Sequence, residues 1–283
     1  MEGMEFFKDL RDEVNVELER FFREIPKDCF SEGEKRLFEA AEYGTTLGGK
    51  RFRPVFGILC AEACNKNVSR KVLIENLVSI ELIHAFSLIH DDLPGMDNDK
   101  ERRGCPTVWC KFGIDTAILA GDVLQTLAFE NLVKKAPEFA FKNLVKVLAE
   151  SSGFLGMCGG QARDTFFNVA NSKKSLKMSD EELMLLHKKK TGALISGAGK
   201  FGVILAEADE DEAKFVEEFA ENLGLSFQVS DDLLDGDGFV EIWGEERTRT
   251  FLAELTERLV EVAKKLNSKE LEKLAVFVAN RDD

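Results

Sequence analysis

Apolar positions along this chain recur at steps of three and four. Leu252, Leu255, Leu259, Val262 and Leu266 trace one line, and Phe215, Phe219 and Leu223 trace another upstream. That spacing is the period of an α-helix with one buried face. Polar start signals sit ahead of such runs. Ser31 with Glu34, Ser179 with Glu182 and Asn267 with Glu270 have the spacing of capping boxes and predict helix starts. No stretch of convincing length alternates with period two, and only five prolines punctuate the chain. The pattern predicts about a dozen helices joined by short loops. No Pro/Gly/Ser-rich linker, low-complexity tract or tandem repeat divides them, so residues 1–283 are expected to form a single all-α domain. Without a sheet, the helices must bury their apolar faces against one another.

Composition sharpens this picture. Hydrophobic residues make up 44% of the 283, enough for a sizeable core. There are 23 Phe against one Tyr and two Trp. Phe adds bulk without a polar atom, which suits a deep apolar interior or cavity. The net charge of −14 argues against nucleic acid as a partner. It leaves room for a small phosphorylated ligand, because a bound cation reverses the sign of an acidic site. No apolar run is expected to reach the length of a membrane span. Met1 to Leu10 carries Glu and Asp and lacks the regions of a signal peptide. The six cysteines form no CxxC pair or zinc pattern, and reduced thiols in a cytoplasmic protein are expected.

Candidate chemistry begins where an apolar helical run, Leu82, Ile83, Phe86 and Ile89, ends in carboxylates. Asp91 and Asp92 come first, then Pro94-Gly95, then Asp97 and Asp99, then Arg102-Arg103. On a continuous helix Asp91 and Asp97 would point well apart. Pro94 disfavours helix at the residue before it and Gly95 frees the backbone, so a local bulge is expected to return Asp97 beside Asp91. Carboxylates converging without thiol or imidazole suit a hard cation, Mg²⁺. A solvated acidic helix end is the plainer reading of a lone DD pair. The two arginines pair with the aspartates in that reading, or bind phosphate bidentately in the other.

A second cluster lies in FQVSDDLLDGDG, Phe227 to Gly238. Asp231 and Asp235 are four apart and Asp232 and Asp235 three apart, which places all three on one helix face. Carboxylates near a helix C-terminus are disfavoured by the macrodipole, so a compensating cation is expected here too. Opposite charge is available in two places. GGKRFRP (Gly48 to Pro54) holds Lys50, Arg51 and Arg53 in a glycine-loosened loop that is no P-loop. Lys188-Lys189-Lys190-Thr191-Gly192 closes an amphipathic helix, and Lys190-Thr191 offers an ammonium and a hydroxyl to a phosphate. His84, seven residues before Asp91, falls on nearly the same side two turns away. His90 and His187 have no such support.

These pieces together resemble the trans-polyprenyl diphosphate synthases. The resemblance is carried by GGKRFRP, HAFSLIHDDLPGMD, Arg102-Arg103-Gly104, LAGDVLQTLAFE (119–130), GGQARD (159–164), Lys190-Thr191 and QVSDDLLD. Their order and spacing agree over residues 40 to 235, and Val278 to Asp282 is similar to the C-terminus of bacterial members. The resemblance implies an isoprenoid-synthase-type orthogonal helical bundle around a central cavity, a homodimer, and three Mg²⁺ with substrate bound. It implies head-to-tail condensation of isopentenyl diphosphate with an allylic diphosphate, and no stable membrane insertion. By the same resemblance, Asp91, Asp92 and Asp97 hold metal on the allylic diphosphate, and Asp231, Asp232 and Asp235 hold the rest from across the cavity. Arg102, Lys190, Thr191 and Gln228 contact the allylic diphosphate. Lys50, Arg53, His84 and Arg103 hold isopentenyl diphosphate, with Gln161 and Asp164 in support.

Phe86 lies five residues before Asp91, about 7.5 Å of axial depth. With the Pro94-Gly95 insertion it is similar to the farnesyl-type bacterial members, which implies a C15 product, with C20 as the alternative. The neighbouring Ser87 is small and not expected to be the stop. Two competing readings are a terpene cyclase on the same fold and a non-catalytic subunit of a heteromeric synthase. One departure stands out. The family follows its second motif with a glycine-rich, lysine-bearing loop, whereas here no lysine occurs between Asp235 and Lys264. Arg247 and Arg249 are the nearby cations that remain.

Overall fold

The computed structural model describes residues 7–172 and 178–280. The expectations placed on Met1–Phe6, Arg281 and Asp282 lie outside them. Fourteen α-helices and one two-residue hairpin occur among the described residues, as the periodicity predicts. They fall into two compact units. The first contains Phe6–Val55 and Arg70–Val145, and the second chiefly Phe56–Ser69 and Lys146–Asp283.

In the first unit, α1 (Lys8–Glu24), α2 (Glu32–Thr46), the start of α3 (Phe52–Cys64), α4 (Arg70–Asp91), the hairpin strands β1 (Glu101–Arg102) and β2 (Cys105–Pro106), α5 (Val108–Phe112) and α6 (Ile114–Lys135) follow in order. The Ser31–Glu34 capping box forms at the head of α2. α4 is the central helix, buried on all sides from Leu73 to Ile89, as expected of a helix apolar all round. By length and composition alone it could cross a membrane, which corrects the expectation that no segment could. Most of its apolar window, 72%, is buried inside the protein. Its nearest partner is α6. There the Asn131 amide donates to the Glu75 carbonyl at 2.7 Å and to Ser79 Oγ at 2.9 Å, which ties the two helices together across a buried contact.

The second unit holds the end of α3, the C-terminal half of α7 (Glu138–Ser152), α8 (Met157–Ser172), α9 (Asp180–His187), a π-turn over Lys188–Gly192, α10 (Ala193–Leu205), α11 (Glu210–Asp235), the short α12 (Phe239–Trp243), α13 (Glu245–Lys265) and α14 (Lys269–Ala279). Phe56 and Phe219 stack at 5.9 Å between ring centres at its core. Leu252, Leu255, Leu259, Val262 and Leu266 are all buried, and Ser179–Glu182 caps α9, as read from the sequence. The third predicted cap is off by one residue. Asn267 takes a left-handed φ of 51° and ends α13, so Ser268 becomes the cap of α14 and accepts from Leu271 N–H at 3.2 Å.

Candidate active site

The first carboxylate cluster forms where α4 stops. The helix ends at Asp91, and residues 92–97 fold into a turn. The Asp97 N–H donates back to the Asp91 carbonyl at 2.9 Å, so the backbone at Asp97 returns to that at Asp91 as expected. Asp91 is half-buried and Asp97 exposed. Asp92 differs from both. It is buried, and its Oδ1 accepts from Arg102 Nε at 2.8 Å and from the Arg102 terminal nitrogen at 2.6 Å. Burial raises the Asp92 carboxyl above its ordinary value, and Arg102 acts against that shift. The fork braces the loop, and Arg102 reaches on to Asp99 at 3.4 Å.

Four arginines concentrate beside this cluster. Arg51, at a φ of 50°, turns into the protein. Its side chain is 2% exposed and pairs at 2.8 Å with Glu81, which is 4% exposed, while its Nε donates to Asn15. Arg51 is therefore a structural anchor. It leaves Lys50 exposed on one side and Arg53 half-buried on the other. Arg53 Nε is buried without a hydrogen-bond partner, and burial brings this guanidinium down to about 10, with Arg103 adding repulsion. Arg103 donates to the Gly48 carbonyl. Its guanidinium lies only 2.6 Å from where a Cβ on Gly49 would be, so the glycine is what lets the arginine lie on the loop.

His84 feels all four. Burial first, then Arg53, Arg103, Arg51 and Arg102, hold its imidazole well below the ordinary histidine range. Neutral at physiological pH, it can donate one hydrogen bond without adding charge. The sign of its linkage follows. Below about pH 6.5 the unfolded chain takes up a proton that folded His84 refuses, so stability falls as pH drops. His84→Asn should flatten the decline between pH 6.5 and 5 by up to ~1.4 kcal/mol per pH unit in urea titrations. Parallel curves for the two proteins would contradict this.

In the second unit, Asp231 and Asp235 sit on the last turns of α11, half-buried and exposed respectively. Asp232 does not share their face. It is buried, accepts from the Phe239 N–H at 2.8 Å, and has His187 Nε2 at 3.5 Å. This corrects the expectation that all three aspartates lie together, because one residue's step is 100° of helical rotation. Asp237 is raised by desolvation first and then by Asp232, Asp235 and Glu241, the mark of a carboxylate group short of positive charge. Asp232 also fixes the segment after α11. Phe239 rests among His187, Trp243 and Phe251 in a buried cluster. Arg247 lies 4.4 Å over the Trp243 ring and Arg249 pairs with Glu245 at 2.7 Å, so each cation has a local task.

The lysine run divides. Lys188 pairs with Glu221 at 2.6 Å, Lys189 donates to the Phe154 carbonyl at 3.3 Å, and Lys190 pairs with Asp164. A π-turn displaces side chains relative to an ordinary helix, and such turns recur at functional sites. Gly160 fits against the Lys190 backbone, 2.2 Å from where its Cβ would be, so the GGQARD segment serves as the seat of Lys190. Thr191, Gln161 and Gln228 are half-buried, and Gln161 Oε1 has no partner. A cavity of about 1030 Å³ in this unit lies against Lys188, Lys189 and Gly192 and contains none of the predicted site residues.

The donor set suits Mg²⁺. Only carboxylate oxygens are presented, and among the described residues no three ligating side chains gather at one point. Mg²⁺ is ordinarily held by one or two carboxylates, with phosphate oxygens and water completing the shell. The model of the polyprenyl synthetase family matches residues 34–268. A farnesyl diphosphate synthase of Haemophilus influenzae is 39% identical over 240 residues, 83% of this chain and 78% of its own. That of Escherichia coli is 40% identical over 228 residues, 79% and 72% of the two chains. Among solved structures, an FPP/GFPP synthase from Zymomonas mobilis superposes with a TM-score of 0.88 at 32% identity, covering 98% of this chain and 99% of that one.

Proposed function

Because the chain belongs to the polyprenyl synthetase family, we propose that it is a cytoplasmic prenyltransferase. It joins isopentenyl diphosphate head to tail to dimethylallyl or geranyl diphosphate and makes chiefly farnesyl diphosphate. The observation that carries this reading is the arginine group around His84. Arg53 is under-neutralised, Arg103 is laid over Gly49, and both lie within one unit with the outward carboxylates Asp91 and Asp97. A cyclase has no use for a second diphosphate site of this kind. Residues 1–283 are proposed to act as one functional domain.

In the proposed mechanism Lys190, Thr191, Gln228 and Arg102 bind the allylic diphosphate, and Lys50, Arg53, His84 and Arg103 bind isopentenyl diphosphate. Asp91, Asp97, Asp231 and Asp235 hold Mg²⁺, three ions with substrate bound. When bound, Mg²⁺ neutralises the diphosphate and improves it as a leaving group. Lys190 must leave Asp164 for the diphosphate, and its charge stabilises the developing anion as the allylic C–O bond ionises. The isopentenyl double bond attacks the carbocation, forming the new C–C bond, and the departed diphosphate takes the proton then lost. Apolar walls exclude water from the cation, and Phe86 ends the path of the growing chain. A homodimer is proposed as well, for which α6 offers Ile114, Ile118, Leu119 and Val133, each more than 40% exposed.

Purified protein given Mg²⁺, isopentenyl diphosphate and geranyl diphosphate should yield farnesyl diphosphate; a cyclised hydrocarbon or no product would refute the reading. The division of cations makes a second prediction. Arg53→Ala should raise KM for isopentenyl diphosphate about tenfold or more with a smaller effect on the allylic substrate, and Lys190→Ala the reverse. Steady-state kinetics with each substrate varied in turn checks this, and equal effects on both would mean the two diphosphates are assigned wrongly.

A further inference from the structure

Phe86 does not stand alone at the end of α4. One turn later on the same helix, His90 meets it edge to face, with ring centres 5.1 Å apart and planes at 81°. The other side of the imidazole lies against α6. Its Nε2 is 3.0 Å from the Ile118 carbonyl, and since a carbonyl only accepts, Nε2 is the nitrogen that carries the proton. The ring occupies the space a side chain at residue 121 would need. A Cβ built on Gly121 would lie 2.2 Å from Nε2 and 2.4 Å from Cδ2. Glycine inside a helix is unfavourable relative to alanine, and here it leaves room for the imidazole to rest on the α6 backbone. His90 is thus wedged between a helix backbone and the Phe86 ring, with its orientation set by a hydrogen bond. Ser87, the other neighbour, spends its hydroxyl on the His84 carbonyl at 2.9 Å and does not compete for this space.

We infer that His90 is a positioning residue for product length. Held by the Ile118 carbonyl and seated on Gly121, it fixes the Phe86 ring that closes the path of the growing chain. The inference rests on the prenyltransferase reading and adds to it a support behind the floor residue. Side-chain discrimination by a single contact in an apolar pocket is commonly worth tenfold or more. A ring allowed to swing aside by one rotamer should therefore register in the product distribution.

The experiment is a product-length analysis of the unmodified chain and four variants with Mg²⁺, isopentenyl diphosphate and geranyl diphosphate, each checked for fold by circular dichroism. His90→Ala should raise the ratio of C20 to C15 product about tenfold. The double variant His90→Ala/Phe86→Ala should match Phe86→Ala alone, because His90 acts only through Phe86. Gly121→Ala leaves α4 intact, evicts the imidazole from its seat and should also change the ratio, so it decides the matter if His90→Ala does not fold. C15 product from the unmodified chain with an unchanged ratio in both His90→Ala and Gly121→Ala would overturn the inference alone. A double variant with products longer than those of Phe86→Ala would overturn it too, by making His90 part of the floor itself. No condensation product from the unmodified chain would overturn the activity, and this assignment with it.

Discussion

Asp91→Ala and Asp231→Ala should each lower kcat/KM by about 10³-fold or more, a loss of about 4 kcal/mol of transition-state stabilisation. Both carboxylates are half-buried at the end of their helices, where each is proposed to hold Mg²⁺. Asp232 supplies the contrast. Its carboxylate accepts from the Phe239 N–H, a task an asparagine oxygen performs as well. Asp232→Asn should cost less than about tenfold, whereas Asp232→Ala should release the Phe239 segment and cost more. Initial rates at saturating Mg²⁺ check all four variants. Near-normal turnover by Asp91→Ala or Asp231→Ala would sink the two-cluster mechanism. A loss in Asp232→Asn equal to that in Asp231→Ala would make Asp232 a ligand after all.

Glu81→Ala should destabilise the protein by about 3–5 kcal/mol. Arg51 and Glu81 form an almost fully buried ion pair, so truncating the acid strands a guanidinium with only Asn15 to receive it. The damage should reach the site, since Arg51 stands in the left-handed turn that carries Lys50 and the seat of Arg103 and leads into Arg53 at the start of α3. Glu81→Gln, which keeps an acceptor, should cost roughly half as much. Urea unfolding monitored by circular dichroism measures both. A loss below about 1 kcal/mol in Glu81→Ala would mean that water reaches Arg51 and the pair is not the anchor it is taken to be.

Much of the fold was legible because it rests on local periodicity. The 3.6 period of α13, the caps at Ser31 and Ser179, and the break at Pro94 are each written in a few adjacent residues. The carboxylate clusters were legible for the same reason. What was not legible depends on contacts distant in sequence. Asp232 looks like its neighbours until Phe239 folds back to meet it, and only then is it buried. Arg51 and Arg53 are two residues apart in the sequence, yet one is an anchor and the other an under-neutralised cation, because Glu81 and Asn15 pair with Arg51 while Arg53 Nε is buried without a hydrogen-bond partner. A signal for that pair did exist. A glutamate at the middle of an apolar helix calls for a buried cationic partner. The pairing of Lys190 with Asp164 had a fainter signal in the GGQARD segment. The left-handed Asn267 shows the limit at helix ends, where two adjacent polar residues compete for the cap and the turn geometry decides between them.

The central claim is that both aspartate clusters serve one Mg²⁺-bound diphosphate. It is tested most directly by calorimetric titration of a non-ionising thio analogue of geranyl diphosphate. The account predicts tight binding with Mg²⁺, loss of at least about 10²-fold in affinity when EDTA replaces it, and a comparable loss in both Asp91→Ala and Asp231→Ala with Mg²⁺ present. Unchanged affinity in either variant would contradict it, because the cluster concerned would then take no part in holding the substrate.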